Sequence, residues 1–339
     1  MADTQGIAAV TDSRTEPAPG EGTQPGDATA GGVSGHAGAG RADALVTVVI
    51  PTYNRAALLP KAIASVLRQT HARFEIVVVD DGSTDATATV VSSLQDPRIR
   101  YVRHERNRGL PAARNTGIRA ARGEYVAFID DDDEWREDKL ERQLQVIGRY
   151  DAVLATGVAD GYPLRIHRRP EISLDDLRKG SFNPSSLLAK TSVLRDVMFD
   201  ESLRQGEDWD AFIRIGKRYS IGWLPEPLLI YNEGSHVRMT NEAKTTSVTE
   251  LERRMAVLRK HREFFGERWY EYHVADNLLS YIATRADRLS CVRYAIRRCG
   301  VLPVATVLAD KTRRFVVRRF WKYLVWRGRV PGPVNADKA

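Results

Sequence analysis

The most unusual chemistry in this sequence is a run of acidic side chains directly behind an apolar segment. Residues 125–129 are apolar, and four aspartates at positions 130–133 and Glu134 follow them without a break. Five carboxylates this close together repel one another, so their ionisation costs free energy unless a cation lies among them. Hard divalent cations take oxygen ligands of this kind. The run therefore predicts a divalent-metal site, although by itself it is equally compatible with a solvated acidic turn after a strand.

A second acidic pair, Asp80 and Asp81, also follows an apolar run, at residues 74–79. Carboxylates at the end of a strand in an open α/β sheet can accept hydrogen bonds from a ribose hydroxyl or a base N–H. No G-x-G-x-x-G follows the first apolar run, and no G-x-x-x-x-G-K-[ST] occurs in the chain. A Rossmann oxidoreductase and a P-loop NTPase are therefore both disfavoured.

Alternating strand and helix patterns must position these groups. Residues 45–50 and 74–79 are apolar and largely β-branched, as in strands buried on both faces, and apolar residues recur at helical spacing between them. Further strands are predicted at 99–102 and 125–129, and further helices at 86–94 and 111–121. This alternation predicts an α/β fold with a mostly parallel central sheet flanked by helices. Ligands bind beyond the carboxyl ends of such strands, so the acidic runs are expected at one edge.

Composition and charge set wider limits. The chain has 339 residues, 42% hydrophobic and 28% charged, which suits one or two globular domains. Cys291 and Cys299 lie in a predicted helix, about 12 Å apart along its axis, which is too far for a disulfide. Because no zinc-binding pattern exists either, a reducing compartment is expected. The net charge of +7 is local, since residues 291–330 hold eleven Lys or Arg and one acidic residue.

The ends of the chain carry weaker signals. Residues 1–43 are rich in Gly, Ala, Pro, Ser and Thr, and they are predicted to be disordered because they cannot bury enough apolar surface. They lack the apolar segment of a signal peptide. No run reaches the roughly 18 apolar residues of a membrane-spanning helix, so none is predicted.

Four motifs in a fixed order give the sequence a specific resemblance. They are VVIPTYNR at 48–55, VDDGSTD at 79–85, ARNTG at 113–117 and FIDDDDEW at 128–135. Together they resemble family 2 glycosyltransferases over about residues 45–235. The resemblance implies a Rossmann-like GT-A fold and inverting transfer of a sugar from a nucleotide-diphosphate sugar to an acceptor hydroxyl. It predicts a catalytic domain at 44–235, a helical C-terminal region at 236–330 that is basic from about 291, and a disordered tail at 331–339.

The resemblance also implies roles for individual positions. Asp80 and Asp81 would hold the base and ribose of the donor. Asp130 and Asp132 would form the family's D-x-D motif, with Asp132 the first choice as a ligand of Mg²⁺ or Mn²⁺ and Asp130 the second. For Arg114, a salt bridge on a helix surface is an equal alternative to donor binding. The remaining nucleotide- or donor-binding candidates are Pro51, Thr52, Tyr53, Arg55, Asn115 and Asp131.

Glu207 and Asp208 open a predicted helix, and the resemblance makes Asp208 the general base of the reaction. A sugar hydroxyl is a poor nucleophile at neutral pH, so a carboxylate within hydrogen-bond reach must take its proton. The alternative is that both residues only complement the helix dipole. Residues 181–195 are expected to face the acceptor, and His236 is a weaker metal candidate. The Gln-x-x-Arg-Trp motif of processive synthases is absent, which favours transfer of a single sugar.

The expected partners follow from these assignments. A UDP-sugar is the first choice of donor, the acceptor is a glycan or a lipid-linked glycan, and the product belongs to cell-surface polysaccharide or glycolipid synthesis. Residues 315–327 mix aromatic and basic side chains, as in a helix on an anionic membrane surface or one packed on the catalytic domain. We expect no nucleic-acid partner, and a cytoplasmic location that includes the inner face of the plasma membrane. The alternatives are a non-catalytic nucleotide-sugar binding protein with the same fold and a nucleotidyltransferase.

Overall fold

The computed structural model describes residues 43–159, 162–163, 167–231 and 246–326. The predictions for most of the N-terminal tail, for the last 13 residues and for His236 fall outside this part of the chain. The described strands form one sheet in the order β3-β2-β1-β4-β8-β6-β9-β5, and β7 pairs with β6. They are β1 (Val46–Thr52), β2 (Phe74–Asp80), β3 (Ile99–Arg103), β4 (Tyr125–Phe128), β5 (Glu134–Trp135), β6 (Ala152–Ala159), β7 (Tyr162–Pro163), β8 (Leu187–Lys190) and β9 (Ile221–Tyr231).

The sheet is mixed, and most of its paired length is parallel. Strands β1 to β4 pair in parallel, and β6 pairs in parallel with β9. Strand β8 lies antiparallel between β4 and β6, and β5 and β7 add short antiparallel edges. Each antiparallel pairing is only two or three residue pairs long. The predicted mostly parallel α/β sheet is therefore confirmed.

Helices cover both faces of the sheet because apolar side chains alternate along the strands. Val49 and Val77 point into one core, and Val48 and Val78 point into the other. The helices before residue 220 are α1 (Leu59–Leu67), α2 (Thr87–Ser93), α3 (Leu110–Ala120), α4 (Lys139–Val146), α5 (Leu174–Lys179), α6 (Thr191–Val197) and α7 (Glu207–Gly216).

The described residues after 246 are helical apart from short connections, as predicted. The helices are α8 (Val248–Arg254), α9 (Ala256–Lys260), α10 (Arg262–Leu278), α11 (Arg288–Cys299) and α12 (Val301–Trp326). Leu251, Met255 and Leu258 belong to the same core as Phe212 of α7, so these helices extend the core of the sheet domain. Both cysteines lie in α11 and are unpaired. Among the described helices, none combines the length and the apolar content that crossing a bilayer requires.

Candidate active site

Two of the four consecutive aspartates point into the protein. They lie in the turn after β4, which closes when the N–H of Asp133 donates to the carbonyl of Asp130. Asp131 is buried and accepts a 2.7 Å hydrogen bond from the Thr52 hydroxyl, and Asp133 is buried beside Asn183. Burial raises the pKa of Asp131 to about 7 and the pKa of Asp133 well above its usual value, because few groups compensate the lost hydration. These two side chains support the turn.

The alternate aspartates, Asp130 and Asp132, are partly exposed on the outer side of the turn. The Arg55 guanidinium lies 3.4 Å from Asp132, and the backbone N–H of Asp130 donates to Ser185 at 3.0 Å. The two residues predicted to form the D-x-D motif are thus the two aspartates of the run that stay partly exposed. Among the described residues, no three His, Cys, Asp or Glu side chains could enclose a metal by themselves. Two carboxylates do fit Mg²⁺ or Mn²⁺ when water and phosphate oxygens complete the coordination.

Arg114 connects this turn to the start of α7. Its guanidinium is only 2% exposed and lies 2.9 Å from both Asp130 and Glu207, with the Phe199 ring 5.3 Å from its central carbon. The two nearby carboxylates raise the pKa of Arg114 despite its burial. Arg114 is therefore a buried bridge, neither a surface salt bridge nor an exposed donor contact.

Glu207 and Asp208 differ in accessibility although they are neighbours. Glu207 is buried and paired with Arg114, whereas Asp208 is partly exposed and accepts a 2.7 Å hydrogen bond from the N–H of Trp209. Burial raises the pKa of Asp208, and the positive charge of Arg114 opposes that shift. A carboxylate with a raised pKa is a stronger base at neutral pH. Asp208 therefore has the exposure and the basicity that proton abstraction needs, and Glu207 holds the helix in place.

The predicted nucleotide edge forms where β1 and β2 end. The Asp81 carboxylate accepts hydrogen bonds from His104 Nδ1 at 2.7 Å and from the backbone N–H groups of Arg108 and Gly109 at 2.9 and 2.7 Å. Asp81 therefore fixes the 104–109 loop. These contacts to the loop and to His104 were not predicted, because nothing in the local sequence shows which carboxylate residues 104–109 meet.

Asp80 is also buried among its own partners. It accepts hydrogen bonds from the N–H of Ser83 and from the Tyr101 hydroxyl, and Arg103 lies 3.8 Å away. Burial and the Asp80 carboxylate raise the pKa of Tyr101, because both disfavour the phenolate. Asp80 and Asp81 therefore hold the loops at this edge in place through hydrogen bonds within the protein.

Residues 51–55 complete this edge. The side chain of Asn54 accepts from the N–H of Thr84 at 2.8 Å, and the N–H of Asn54 donates to Ser83, so the loops after β1 and β2 are joined. Pro51 remains within β1, and Tyr53 is 44% exposed on this edge. An exposed aromatic ring beside buried carboxylates suits stacking on a nucleotide base.

Asn115, a predicted donor-binding residue, makes its hydrogen bonds within the protein. Its amide donates to the carbonyl of Phe199 and to Glu201, both at 2.9 Å, and accepts from the N–H of Phe199 at 2.7 Å. Asn115 is buried, and these bonds anchor the segment that precedes α7. In this structure it positions the connection from α6 to α7, the helix that carries Asp208.

A cavity of about 750 Å³ opens beside Asp208 and extends from the aspartate turn to the C-terminal helices. Within the segment predicted to face the acceptor, residues 181–184 line this cavity, and residues 187–195 belong to β8 and α6. Its far wall was not predicted, because it comes from C-terminal helices more than 40 positions after Asp208, with no motif that marks them. That wall includes Leu251, Arg254, Met255, Leu258, Asn277, Ser280 and Tyr281.

Comparison with known proteins agrees with this geometry. The family model described as glycosyl transferase family 2 matches residues 47–199. Residues 47–199 are therefore similar to family 2 glycosyltransferases, and we call them the glycosyltransferase domain. The match begins at β1 and ends just before the connection to α7, so it includes the nucleotide edge and the aspartate turn of the glycosyltransferase domain.

Two relatives resemble the glycosyltransferase domain in sequence. An uncharacterized glycosyltransferase of Rickettsia felis is 35% identical over 207 residues, which are 55% of this chain and 32% of the relative. The succinoglycan biosynthesis protein ExoO of Rhizobium meliloti is 36% identical over 185 residues, which are 48% of this chain and 53% of the relative. The chain thus spans about a third of the length of the Rickettsia relative and half of ExoO.

Solved structures share the fold of the glycosyltransferase domain. TarS residues 1–349 from S. aureus, in complex with UDP-GlcNAc, gives a TM-score of 0.54 at 19% identity, covering 79% of this chain and 91% of TarS. The mannosyltransferase PcManGT of Pyrobaculum calidifontis, in complex with GDP-Man and Mn²⁺, gives 0.52 at 21% identity, covering 82% and 83%. These similarities confirm the predicted GT-A fold.

Proposed function

We propose that this protein is a metal-dependent, inverting glycosyltransferase that moves a single sugar from a nucleotide-diphosphate sugar to an acceptor hydroxyl. The observation that carries this proposal is the Arg114 bridge. The Arg114 guanidinium contacts Asp130 of the D-x-D turn and Glu207 at the start of α7, so it holds the turn and the helix next to each other. A diphosphate held at the turn and an acceptor held at the helix would therefore meet at the mouth of one cavity.

Asp208 is the proposed general base. Both carboxylates line the cavity, but Glu207 is buried and paired with Arg114, whereas Asp208 is partly exposed. Proton transfer from the acceptor hydroxyl to Asp208 frees a lone pair on the oxygen, which attacks the anomeric carbon as its bond to the diphosphate oxygen breaks. A single displacement of this type inverts the anomeric configuration.

Asp132 and Asp130 are the proposed ligands of a divalent cation, Mg²⁺ or Mn²⁺. The bound cation would supply compensation for the negative charge that develops on the leaving diphosphate. Within the protein, Arg55 holds Asp132 and Ser185 holds the backbone at Asp130, so both carboxylates are pre-positioned. The Mn²⁺ in the PcManGT complex supports this proposal.

The proposed donor is a UDP-sugar, bound along residues 51–55 and 80–83. TarS in complex with UDP-GlcNAc supports a uridine nucleotide, and the GDP-Man complex of PcManGT makes a guanosine nucleotide the alternative to test. The proposed acceptor is a glycan or a lipid-linked glycan in the cavity between Asp208 and the C-terminal helices. The similarity to ExoO, a succinoglycan biosynthesis protein, supports a place in cell-surface polysaccharide or glycolipid synthesis. We propose that the reaction takes place on the cytoplasmic side of the membrane.

The proposal is tested by measuring nucleotide release from a panel of UDP- and GDP-sugars with Mn²⁺, for the wild type and two variants. We expect Asp208→Asn to lower turnover about 10²- to 10⁴-fold while nucleotide affinity stays unchanged, because only proton transfer is lost. Asp132→Ala should lower both turnover and the Mn²⁺-dependent part of nucleotide affinity. Asp175→Asn, an exposed carboxylate on α5, is the matched control and should behave as the wild type.

Three results would contradict the proposal. Nucleotide binding without turnover of any donor would favour a non-catalytic binding protein. Turnover that survives chelation of divalent metal and the Asp132→Ala change would remove the metal from the reaction. Retention of the donor's anomeric configuration in the product, read by NMR coupling constants, would exclude the single displacement.

A further inference from the structure

The first nine residues of α12, 301–309, include no charged side chain, although one side of this stretch is exposed. Val301, Ala305, Ala309, Thr312 and Val316 recur every three or four residues, so they share one side of the helix, and all five are exposed. Leu302, beside them, is 78% exposed. The opposite side holds Val304 and Val307, which are buried in the core. A helix segment that is apolar on its buried side and uncharged on its outer side, as residues 301–309 are, is expected to be covered on both sides. Arg313, one turn after Ala309, is 74% exposed and adds positive charge to the outer side.

Helix α11 adds positive charge to this face. Leu289, Arg293, Ile296 and Arg297 lie on its exposed side, whereas Cys291 and Ala295 are buried. Leu289 is 69% exposed. The two helices meet at Gly300, next to Val301 and Leu302, and they pack against each other. We call the exposed residues Leu289, Arg293, Ile296, Arg297, Val301 and Leu302 the basic apolar surface.

The arginines of this surface are not used to hold the protein together. Arg293 and Arg297 have no acidic partner among the described residues, and neither does Arg288 at the start of α11. On the inner side of the same helix, by contrast, Arg298 pairs with Glu252 at 2.6 Å and with Glu271 at 3.4 Å. The helix therefore uses one arginine for internal structure and presents the others outward.

We propose that the basic apolar surface lies on an anionic lipid bilayer. Exposed Leu, Ile and Val would enter the boundary between headgroups and acyl chains, and the outward arginines would contact lipid phosphates. A second copy of the chain is a poorer fit, because a two-fold contact would place the same arginines against one another. The proposal concerns attachment only and does not depend on the sugar-transfer reaction.

Flotation of the full chain with vesicles tests this proposal. We expect binding to phosphatidylcholine vesicles that contain phosphatidylglycerol, weaker binding to phosphatidylcholine alone, and a decrease as the NaCl concentration rises. Leu289→Glu with Leu302→Glu should abolish flotation, because each places a carboxylate in the apolar layer. Arg293→Glu with Arg297→Glu should weaken binding to the anionic vesicles about ten-fold or more.

The matched control is Arg73→Glu with Arg122→Glu, which changes the net charge equally at exposed positions outside the basic apolar surface, just before β2 and β4. This control should float about as well as the wild type. Equal flotation of all variants, or no flotation of the wild type, would overturn the proposal. A wild-type protein that binds no vesicles but sediments as a dimer in analytical ultracentrifugation would also overturn it, if Leu289→Glu with Leu302→Glu dissociates that dimer. The surface would then be a contact between two copies of the chain.

Discussion

His261 lies 2.8 Å from Asp210, with its Nε2 atom facing the carboxylate, and this contact ties the C-terminal helices to α7, the helix that carries Asp208. The same carboxylate also pairs with Lys260 and with Arg214, both at 2.6 Å. Asp210 itself is fully buried. The wall of the proposed acceptor cavity and the proposed base are therefore held as one unit.

Asp210→Asn should destabilise the protein by about 2–4 kcal/mol, since Arg214 and Lys260 lose the buried carboxylate with which both pair. Hydrogen bonds from His261, Arg214 and Lys260 hold the pKa of Asp210 far below its usual value, in spite of its burial. A lowered folded-state pKa contributes stability above the unfolded-state pKa, near 4, and this stability is lost as pH falls below it. Urea unfolding at several pH values should show a flatter acid limb in the variant. An unchanged acid limb would show that other carboxylates dominate.

Arg114→Ala should be among the most damaging single changes in the domain. It leaves Glu207 buried without a partner and removes the link to Asp130, which is expected to cost about 3–5 kcal/mol. Arg119 is the matched control, because it lies on the same helix but is exposed and 3.4 Å from Glu201. Arg119→Ala should cost less than about 1 kcal/mol. Chemical denaturation of both variants measures the difference, and comparable losses would contradict the bridging role.

Gly206→Ala tests how closely α9 packs on the start of α7. Gly206 has a φ of 76°, and an added Cβ would lie 2.5 Å from Cγ1 of Val257. The left-handed backbone and the overlap together should cost about 2–4 kcal/mol. Val257→Ala makes room, so the double variant should be about 1–2 kcal/mol more stable than the sum of the single changes predicts. Strict additivity in thermal or urea unfolding would show that the two residues do not touch.

Asp81→Asn distinguishes a structural carboxylate from one that only binds nucleotide. The amide cannot accept all the hydrogen bonds that His104, Arg108 and Gly109 donate to Asp81, so the free protein should lose about 1–3 kcal/mol of stability. UDP affinity should fall as well, because the 104–109 loop is no longer fixed. Differential scanning calorimetry without ligand gives the first quantity and isothermal titration the second. Weaker UDP binding with unchanged stability of the free protein would make Asp81 a direct contact only.

Much of the fold could be predicted from the sequence because its strands are strongly patterned. The apolar runs that became β1, β2 and β4 lie within two residues of their predicted bounds, and Asp80, Asp81 and Asp130 follow directly at the predicted edge. These features depend on local side-chain patterns and on a general rule about parallel sheets. The antiparallel strand β8 was not predicted, because its four residues pair with partners about 30 to 60 positions away.

Only the tertiary structure shows which carboxylates of each acidic cluster are buried and which stay accessible. Sequence alone could not show that Asp131 and Asp133 would turn inward while Asp130 and Asp132 stayed accessible, because four identical residues carry no local distinction. Nor could it show that Arg114 would meet Glu207, which lies 93 positions away. Burial and pairing depend on which distant segments the sheet brings together. The sequence determined which carboxylates are present, and the packing around them determined which ones remain accessible.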